Sequence, residues 1–353
     1  MVRLAEWMSE LGNRVTILAL NRSIKRFYEV PSGVGYRVAP PEVLNSCRWY
    51  RLDCLRQQST AISKFILDTD PELVISFIDT TNVKVLMAMH SSKIPVIVSE
   101  RTDPRNHQIR WRWSLLRRLY YPMASRVVLV TKETFYWANA LWPKWDACVI
   151  PNAALSPVML QPCERPRWFS VKNLVAMGRL DKWKGFDHLL QAFSRVAGDF
   201  PDWNLTIMGE GVERSNLENL ISSLGLKGRV YLPGLISSPA EILSQADLFV
   251  HSSLYEGFPN AIVEAMACGL PAISFDCPSG PKEIIRNNID GILVPVGDMP
   301  ALSKAMLKLM ADDPERKRLA SRAPDVLERF SQERIFGMWQ AIINDVVSTK
   351  TLF

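Results

Sequence analysis

The chain has 353 residues, 48% of them apolar and 22% charged, which excludes a disordered protein and leaves room for two globular cores. No apolar run approaches the roughly 20 residues that span a bilayer. The opening MVRLAEWMSELGNRVTILAL carries acids but no small-residue cleavage site, so a cytoplasmic location is expected rather than a secreted one.

Charge is unevenly spread within the net +6. Residues 1–160 hold 21 Lys and Arg against 13 Asp and Glu, and residues 161–353 hold 21 against 23. The basic first half calls for an acidic partner, whether phosphate, anionic lipid or nucleic acid.

From the amino end, Met1–Leu11 reads as a helix and Val15–Leu20 as a buried strand. Short apolar runs at Leu73–Ile78, Val96–Ser99 and Arg126–Val130 read as further strands, with helical periods at Arg48–Leu67 and Val83–His90 between them. A proline-rich stretch without period, Pro151–Pro166, reads as a linker. The alternation then restarts, with strands at Asn173–Met177, Trp203–Met208, Arg229–Leu232, Leu248–His251, Pro271–Ser274 and Ile292–Val294. Helices are expected at Gly185–Ala197, Glu213–Leu224, Pro239–Ser244, Ala261–Ala267 and Met299–Met310. A last helix near Gln332–Val347 carries Ile335, Met338, Trp339, Ile342 and Ile343 at helical spacing. The pattern predicts an α/β protein of two doubly wound, Rossmann-like domains facing a cleft. Their expected bounds are 1–158 on the acceptor side and 159–331 for nucleotide binding, with 332–353 as a helix that crosses back.

Cys47, Cys54, Cys148, Cys163, Cys268 and Cys277 form no CxxC pair, and the four histidines are scattered. Neither a zinc site nor a disulfide framework is expected. Asp68-Thr-Asp70 precedes Pro71 at a helix-to-strand turn, where Asp serves local hydrogen bonding, so it is read as structural rather than as a metal-binding pair. Gly209-Glu-Gly211 lacks the third glycine of a dinucleotide-binding loop. No metal and no cofactor are expected.

The most specific segment is Glu256-Gly-Phe-Pro-Asn-Ala-Ile-Val-Glu264, running from the strand LFVHSS into a helix. A strand, a Gly/Pro loop and a helix start present free N–H groups and a positive dipole end to an anion. The spacing lets Glu256 and Glu264 border the same pocket at different points, and a carboxylate can accept two hydrogen bonds from vicinal sugar hydroxyls. The plainer reading makes both solvated or helix-capping acids, but their setting between a buried strand and an Ala/Gly-rich helix favours the pocket. A second strand-to-helix loop, Met177-Gly178-Arg179-Leu180-Asp181-Lys182-Trp183-Lys184-Gly185, puts Arg179 and Lys184 where a diphosphate would sit. Gly178 there allows close backbone approach. A solvated basic loop is the plainer reading of that loop alone; the two loops together favour a ligand site.

Arg179 with Lys184, the Glu-x7-Glu segment, Cys277-Pro-Ser-Gly-Pro-Lys-Glu-Ile-Ile285 and Asp290-Gly-Ile-Leu-Val-Pro295 resemble glycosyltransferase family 4, the retaining group 1 glycosyltransferases. The resemblance covers 170–300 and, more loosely, the first half. It implies a GT-B fold and a nucleotide-sugar donor whose anomeric configuration is retained. By position it implies Arg179 and Lys184 on the diphosphate, Glu264 on the ribose hydroxyls and Glu256 on the transferred sugar. It further implies backbone amides at Phe258, Asn260 and Ala261, and the base near Gly209–Gly211 and Pro233–Leu235. Glu256, Arg179 and Lys184 are then the catalytic candidates. The SER-x-DPR segment makes Glu100, Arg101 and Arg105 candidates for the acceptor side. A UDP-linked hexose or N-acetylhexosamine and an undecaprenyl-linked saccharide acceptor in bacterial surface polysaccharide assembly are the expected substrates. A sugar-nucleotide epimerase and a truncated chain that binds donor without transfer are the alternatives.

Between Arg110 and Tyr121, arginines alternate with Trp111, Trp113, Tyr120 and Tyr121. Two readings stand. The stretch associates peripherally with an anionic membrane at the inner face of the plasma membrane, or with a lipid diphosphate; alternatively its aromatics are core and its arginines a solvated face. No nucleic-acid module fits. One departure from the family pattern is expected to matter. Met1–Leu11 already reads as the first helix, so the leading strand and its glycine loop are not found ahead of it, and a sheet edge or groove should be exposed in the first domain.

Overall fold

Strands and helices alternate along the whole computed structural model, which describes residues 1–20, 29–40, 52–105, 107, 109–154, 166, 168–169 and 171–350. In chain order these are α1 (Val2–Glu10), β1 (Thr16–Ala19), β2 (Gly35–Val38), α2 (Leu52–Leu67), β3 (Val74–Phe77), α3 (Asp79–Met89) and β4 (Val96–Ser99). They continue as α4 (Trp111–Tyr120), β5 (Arg126–Leu129), α5 (Lys132–Leu141), β6 (Ala147–Val149), β7 (Lys172–Met177), α6 (Phe186–Ser194), β8 (Trp203–Met208) and α7 (Arg214–Ser223). The remainder are β9 (Val230–Gly234), α8 (Pro239–Leu243), β10 (Leu248–His251), α9 (Asn260–Ala267), β11 (Ala272–Phe275), α10 (Pro281–Ile284), β12 (Gly291–Val294), α11 (Met299–Ala311), α12 (Asp313–Arg322), α13 (Val326–Phe330) and α14 (Gln332–Lys350). The first residues of the helix expected at Arg48–Leu67, and most of the expected linker, lie outside the described residues.

The chain divides into two units, Met1–Ile150 with Phe336–Phe353, and Pro151–Ile335. In the first unit all strand pairs are parallel, but they form two groups. β3-β4-β5-β6 make one sheet, and β1 pairs only with β2. Among the described residues no strand joins β1 to β3, so each has one edge without a ladder partner. The starts of the two are tied instead by Arg14, which donates to the Thr69 and Asp70 carbonyls at 3.4 and 3.2 Å. Asp70 itself turns the chain with φ 47°, its N–H bonded to the Leu67 carbonyl, so the Asp-Thr-Asp run is part of a helix-ending turn.

VIVS of β4 is buried on both faces, as expected where helices cover a parallel sheet on either side. Its core includes Val83, Leu86, Val98, Val127, Leu129 and Tyr121. From Phe336 onward α14 belongs to this unit. Trp339 is 2% exposed, 6.1 Å from Phe77 between ring centroids, and Phe336 lies 5.4 Å from Trp7.

The second unit has one six-stranded parallel sheet in the order β12-β11-β10-β7-β8-β9. From β7 the chain moves one way to β8 and β9, then returns past β7 to β10, β11 and β12. The reversal point therefore lies between β7 and β10, where an open α/β sheet leaves a crevice beyond its strand ends. Phe186, Leu189, Leu190 and Phe193 of α6, spaced i, i+3, i+4 and i+7, are buried against this sheet. Truncating a side chain as enclosed as Phe193 to Ala costs roughly 3–5 kcal/mol. Asp298 and Asp312 accept from Ala301 and Glu315 N–H groups and so cap α11 and α12.

Candidate active site

The loops after β7 and β10 flank the reversal point and carry Gly178, Arg179, Lys184, Glu256 and Phe258, while Gly209 and Gly211 follow β8 and Asn260, Ala261 and Glu264 lie in α9. Asp181 accepts from the Trp183 and Lys184 amides at 3.1 and 3.3 Å, which folds 182–184 into a tight turn. Gly185 ends that turn at φ 59°. A Cβ there would meet the Ser252 carbonyl at 2.2 Å, so only glycine lets the two loops touch. Ser252 Oγ donates to the Lys184 carbonyl at 2.9 Å, and the Leu254 N–H to that of Trp183 at 2.8 Å.

Stitched this way, the loops bring Lys184 Nζ to 2.5 Å from Glu256 Oε1. Ser253 Oγ donates to the same oxygen at 2.7 Å. His251 Nε2 sits 3.2 Å from it, off the preferred hydrogen-bond line. Burial alone would raise the Glu256 pKa, but His251 and Lys184 outweigh it and hold the carboxyl at about 2. His251 is itself 3% exposed, and burial lowers its pKa against the pull of Glu256. Glu256 is thus a fixed anion and His251 a neutral imidazole at neutral pH. Beside them Trp183, 54% exposed, tilts against Tyr255 with centroids 4.8 Å apart.

Arg179 is exposed and pairs with Asp181 at 2.7 Å. Gly178 lies under the Lys184 side chain, which a Cβ would approach to 3.2 Å. Gly209, at φ 142°, packs against the Gly178 carbonyl, and Gly211 against that of Leu180. Gly209 N–H also donates to the Gly234 carbonyl at 2.9 Å, which draws the two expected base-side turns together. Next to them Val212 and Leu235 leave apolar side chains 87% and 67% exposed.

On α9, Asn260 and Glu264 occupy one face at i and i+4. Phe258 is buried against Phe330. One expectation needs correcting: the Asn260 amide is already donated to the Phe258 carbonyl at 2.9 Å, so it is spent within the turn. Ala261 follows it in the first turn of the helix. His251, Ser253, Trp183 and Tyr255 were not singled out from the sequence. The segment LFVHSS reads there only as a strand, and it takes the fold to show that its last residues bend around Glu256.

In the first unit the acceptor-side candidates separate. Glu100 is 1% exposed; burial raises its pKa to about 7, opposed by Arg117 and by a hydrogen bond from the Tyr121 hydroxyl. Asn82 Nδ2 donates to that hydroxyl at 3.1 Å and to the Ser99 carbonyl at 3.0 Å. Arg105 is clamped by Asp103 and Glu133, both at 2.8 Å. Glu100 is therefore an interior group, with one oxygen bonded to Tyr121 and Oε2 buried without a hydrogen-bond partner among the described residues, and Arg105 braces its loop within its own unit. Arg101 lies over the Phe77 and Trp339 rings at 5.1 and 5.7 Å, and burial lowers its pKa to about 10. A pair absent from the sequence reading stands nearby: Asp79, 3% exposed, lies 2.8 Å from His107 Nδ1.

The family model described as glycosyl transferases group 1 matches residues 170–326, and that described as Glycosyltransferase Family 4 matches residues 1–154. An exopolysaccharide phosphotransferase of Streptomyces coelicolor is 31% identical over 290 residues, 80% of this chain but 30% of that protein. An N-acetylgalactosamine-N,N'-diacetylbacillosaminyl-diphospho-undecaprenol 4-alpha-N-acetylgalactosaminyltransferase of Campylobacter jejuni is 26% identical over 321 residues, 82% of this chain and 84% of that one. Among solved structures, S. aureus TarM, in its G117R form with Fondaparinux, alpha-GlcNAc-glycerol and UDP, superposes with a TM-score of 0.68 at 19% identity. That match covers 80% of this chain and 58% of TarM.

Proposed function

The chain belongs to the group 1, family 4-like glycosyltransferases of GT-B fold, and from that premise we propose that it moves a hexose or N-acetylhexosamine from a UDP-sugar to a lipid-linked saccharide, with retention at the anomeric carbon. The observation that carries the reading is the Lys184–Glu256 contact at the sheet's reversal point. It sets a cation for a diphosphate against a carboxylate for sugar hydroxyls. The Campylobacter relative acts on a diphospho-undecaprenol acceptor and TarM was solved with UDP, which supports that choice of substrates.

In the proposed reaction the bond from the sugar C1 to the UDP oxygen breaks as the acceptor oxygen bonds to C1 on the same face. The acceptor proton passes to the departing phosphate oxygen. Lys184 and Arg179 would stabilise the charge growing on that diphosphate, the role a divalent cation fills elsewhere. Glu256 would orient the sugar and Glu264 the ribose, while the exposed apolar pair Val212 and Leu235 would give the base a surface. No protein nucleophile takes part, so the rate gain comes from positioning and charge stabilisation.

The test is binding and turnover of UDP-, GDP- and ADP-sugars by the wild type, Lys184→Ala and Glu264→Ala. Preference for UDP-sugars, with both variants impaired, is the expected result; unchanged turnover in both would remove the site assignment. The divided sheet of the first unit favours one other reading, a chain that binds donor without transferring it. UDP binding by calorimetry with neither transfer nor hydrolysis would select that reading.

A further inference from the structure

Helix α4 presents two apolar faces, and among the described residues only one of them is covered. Trp113, Leu116 and Tyr120 pack on the first unit's core, and Arg117 is buried with Glu100 at 3.7 Å and Trp142 under its guanidinium. On the opposite side Trp111, Leu115 and Leu119 are 70%, 49% and 60% exposed, and Met123 just beyond the helix is 49% exposed. At i, i+4 and i+8 these three side chains form one stripe, about 12 Å long at the helical rise. A row of large apolar side chains in water is unfavourable unless something covers it.

Charge indicates what covers it. From residue 104 to residue 132 there are seven Lys and Arg and no Asp or Glu. Arg110, Arg112 and Arg118 are exposed along the stripe, and the Arg112 guanidinium lies 5.3 Å from the Trp111 ring. An open groove of about 740 Å³ runs beside it, lined by His107, Arg110, Ser114, Arg117 and Arg118. An apolar strip bordered by guanidinium groups and free of acids matches the boundary of an anionic bilayer, where acyl chains meet phosphates. A protein partner would have to bring every acid itself.

We infer that the outer face of α4 is a membrane-docking surface: Trp111, Leu115, Leu119 and Met123 enter the headgroup–acyl boundary of an anionic leaflet, and Arg110, Arg112 and Arg118 take its phosphates. The surface goes beyond the transfer reaction and stands without it. Docking here would bring the chain to a bilayer through a surface helix; among the described residues no helix is long and apolar enough to cross one.

The experiment is co-sedimentation of the purified chain, without any sugar donor, with phosphatidylcholine vesicles containing or lacking phosphatidylglycerol. Binding to the anionic vesicles alone, weakened by added salt, is expected. A combined Trp111→Ser, Leu115→Ser, Leu119→Ser variant should bind at least about tenfold more weakly, and so should Arg110→Gln, Arg112→Gln, Arg118→Gln. All six side chains are exposed, so circular dichroism and the melting temperature should match the wild type. Equal binding to neutral vesicles, full binding by the triple serine variant, or no vesicle binding with concentration-dependent self-association through this face would each overturn the proposal. None of these outcomes bears on donor use, which is read separately from sugar-nucleotide turnover.

Discussion

Lys184 and Glu256, 72 residues apart in sequence, form a 2.5 Å ion pair in which neither side chain is more than 23% exposed. Removing one partner of such a pair strands the other charge in a poorly solvated place, which is costlier than never having built the pair. Lys184→Ala should therefore lower sugar transfer by about 10²-fold or more and destabilise the second unit as well. Lys184→Met with Glu256→Gln should recover the stability but not the activity. Melting curves and initial rates on the three proteins separate the two effects, and a double variant as active as the wild type would remove Lys184 from the mechanism.

His251 supplies a sharper test of the same carboxylate. Oε1 of Glu256 has Lys184 Nζ, Ser253 Oγ and His251 Nε2 within 2.5, 2.7 and 3.2 Å, and the imidazole of His251 is buried beside it. Gln at 251 keeps a polar N–H group beside Glu256; Leu does not. His251→Leu should raise KM for the sugar nucleotide severalfold while leaving free UDP binding unchanged, because Glu256 is assigned to the sugar and not to the nucleotide. His251→Gln should restore most of the loss. Equal weakening of UDP and UDP-sugar by His251→Leu would instead make the histidine a packing residue.

The two candidate loops could be picked out in the sequence because their signals are local. Arg179, Lys184 and Glu256 sit on strand-to-helix turns marked by Gly178, Gly185 and Gly257, Glu264 lies in the helix that follows, and nearly every strand of the second unit reads as an apolar run. What escaped depends on the third dimension. β2 is an exposed, mostly polar edge strand and β6 has three residues, so neither gives a period. Glu100 looks like an open acid after a strand, yet Tyr121 and Arg117, each well along the chain, close over it. The Arg110–Tyr121 stretch left two readings open because α4 carries large apolar side chains on two faces, one packed on the core and one exposed, and sequence spacing alone does not say which is which.

Glu100 and Glu256 predict opposite pH dependences for stability. The folded pKa of Glu256, about 2, lies below its ordinary value, so its contribution is present above pH 4.5 and lost as pH falls toward 2. Glu100 is raised to about 7, chiefly by burial. Between pH 4.5 and 7 the unfolded chain has released this proton while the folded chain keeps it, so stability falls as pH rises through that window. Gln at 100 can still accept from Tyr121 and never ionises. Glu100→Gln should accordingly flatten the loss between pH 5 and 7 and be more stable than the wild type at pH 8, by on the order of a few kcal/mol. Parallel denaturant titrations at pH 5 and 8 check it, and a variant less stable at both would show that ionised Glu100 is paid back by Arg117.

Gly209 carries a conformational requirement that no other residue meets. Its φ is 142°, and a Cβ would stand 1.9 Å from the Gly178 carbonyl oxygen, a backbone atom that cannot rotate away. Gly209→Ala should cost roughly 2–4 kcal/mol and separate the β7 and β8 loop ends. UDP affinity should fall with the melting temperature. A variant with wild-type stability would mean that the two loops are not held in contact in solution.

Ile78 is the opposite case, a β-branched residue held at φ 75° where glycine would be at ease. It starts α3, its N–H bonded to the Ser99 carbonyl at 3.2 Å and its carbonyl accepting from Asn82 at 2.8 Å, and its side chain is 56% exposed. So little apolar contact holds it that packing does not account for the strain. Relief of a strained backbone is worth about 1–3 kcal/mol, and glycine returns roughly 0.5–1 kcal/mol of that in chain entropy. Ile78→Gly should leave the first unit more stable by about 1 kcal/mol, visible as a higher denaturant midpoint at unchanged slope. The neighbouring Asp79 is held 2.8 Å from His107 by this same turn. If the midpoint stays put or drops, the turn is fixed by contacts of Ile78 in solution, and the strain assigned to it here is wrong.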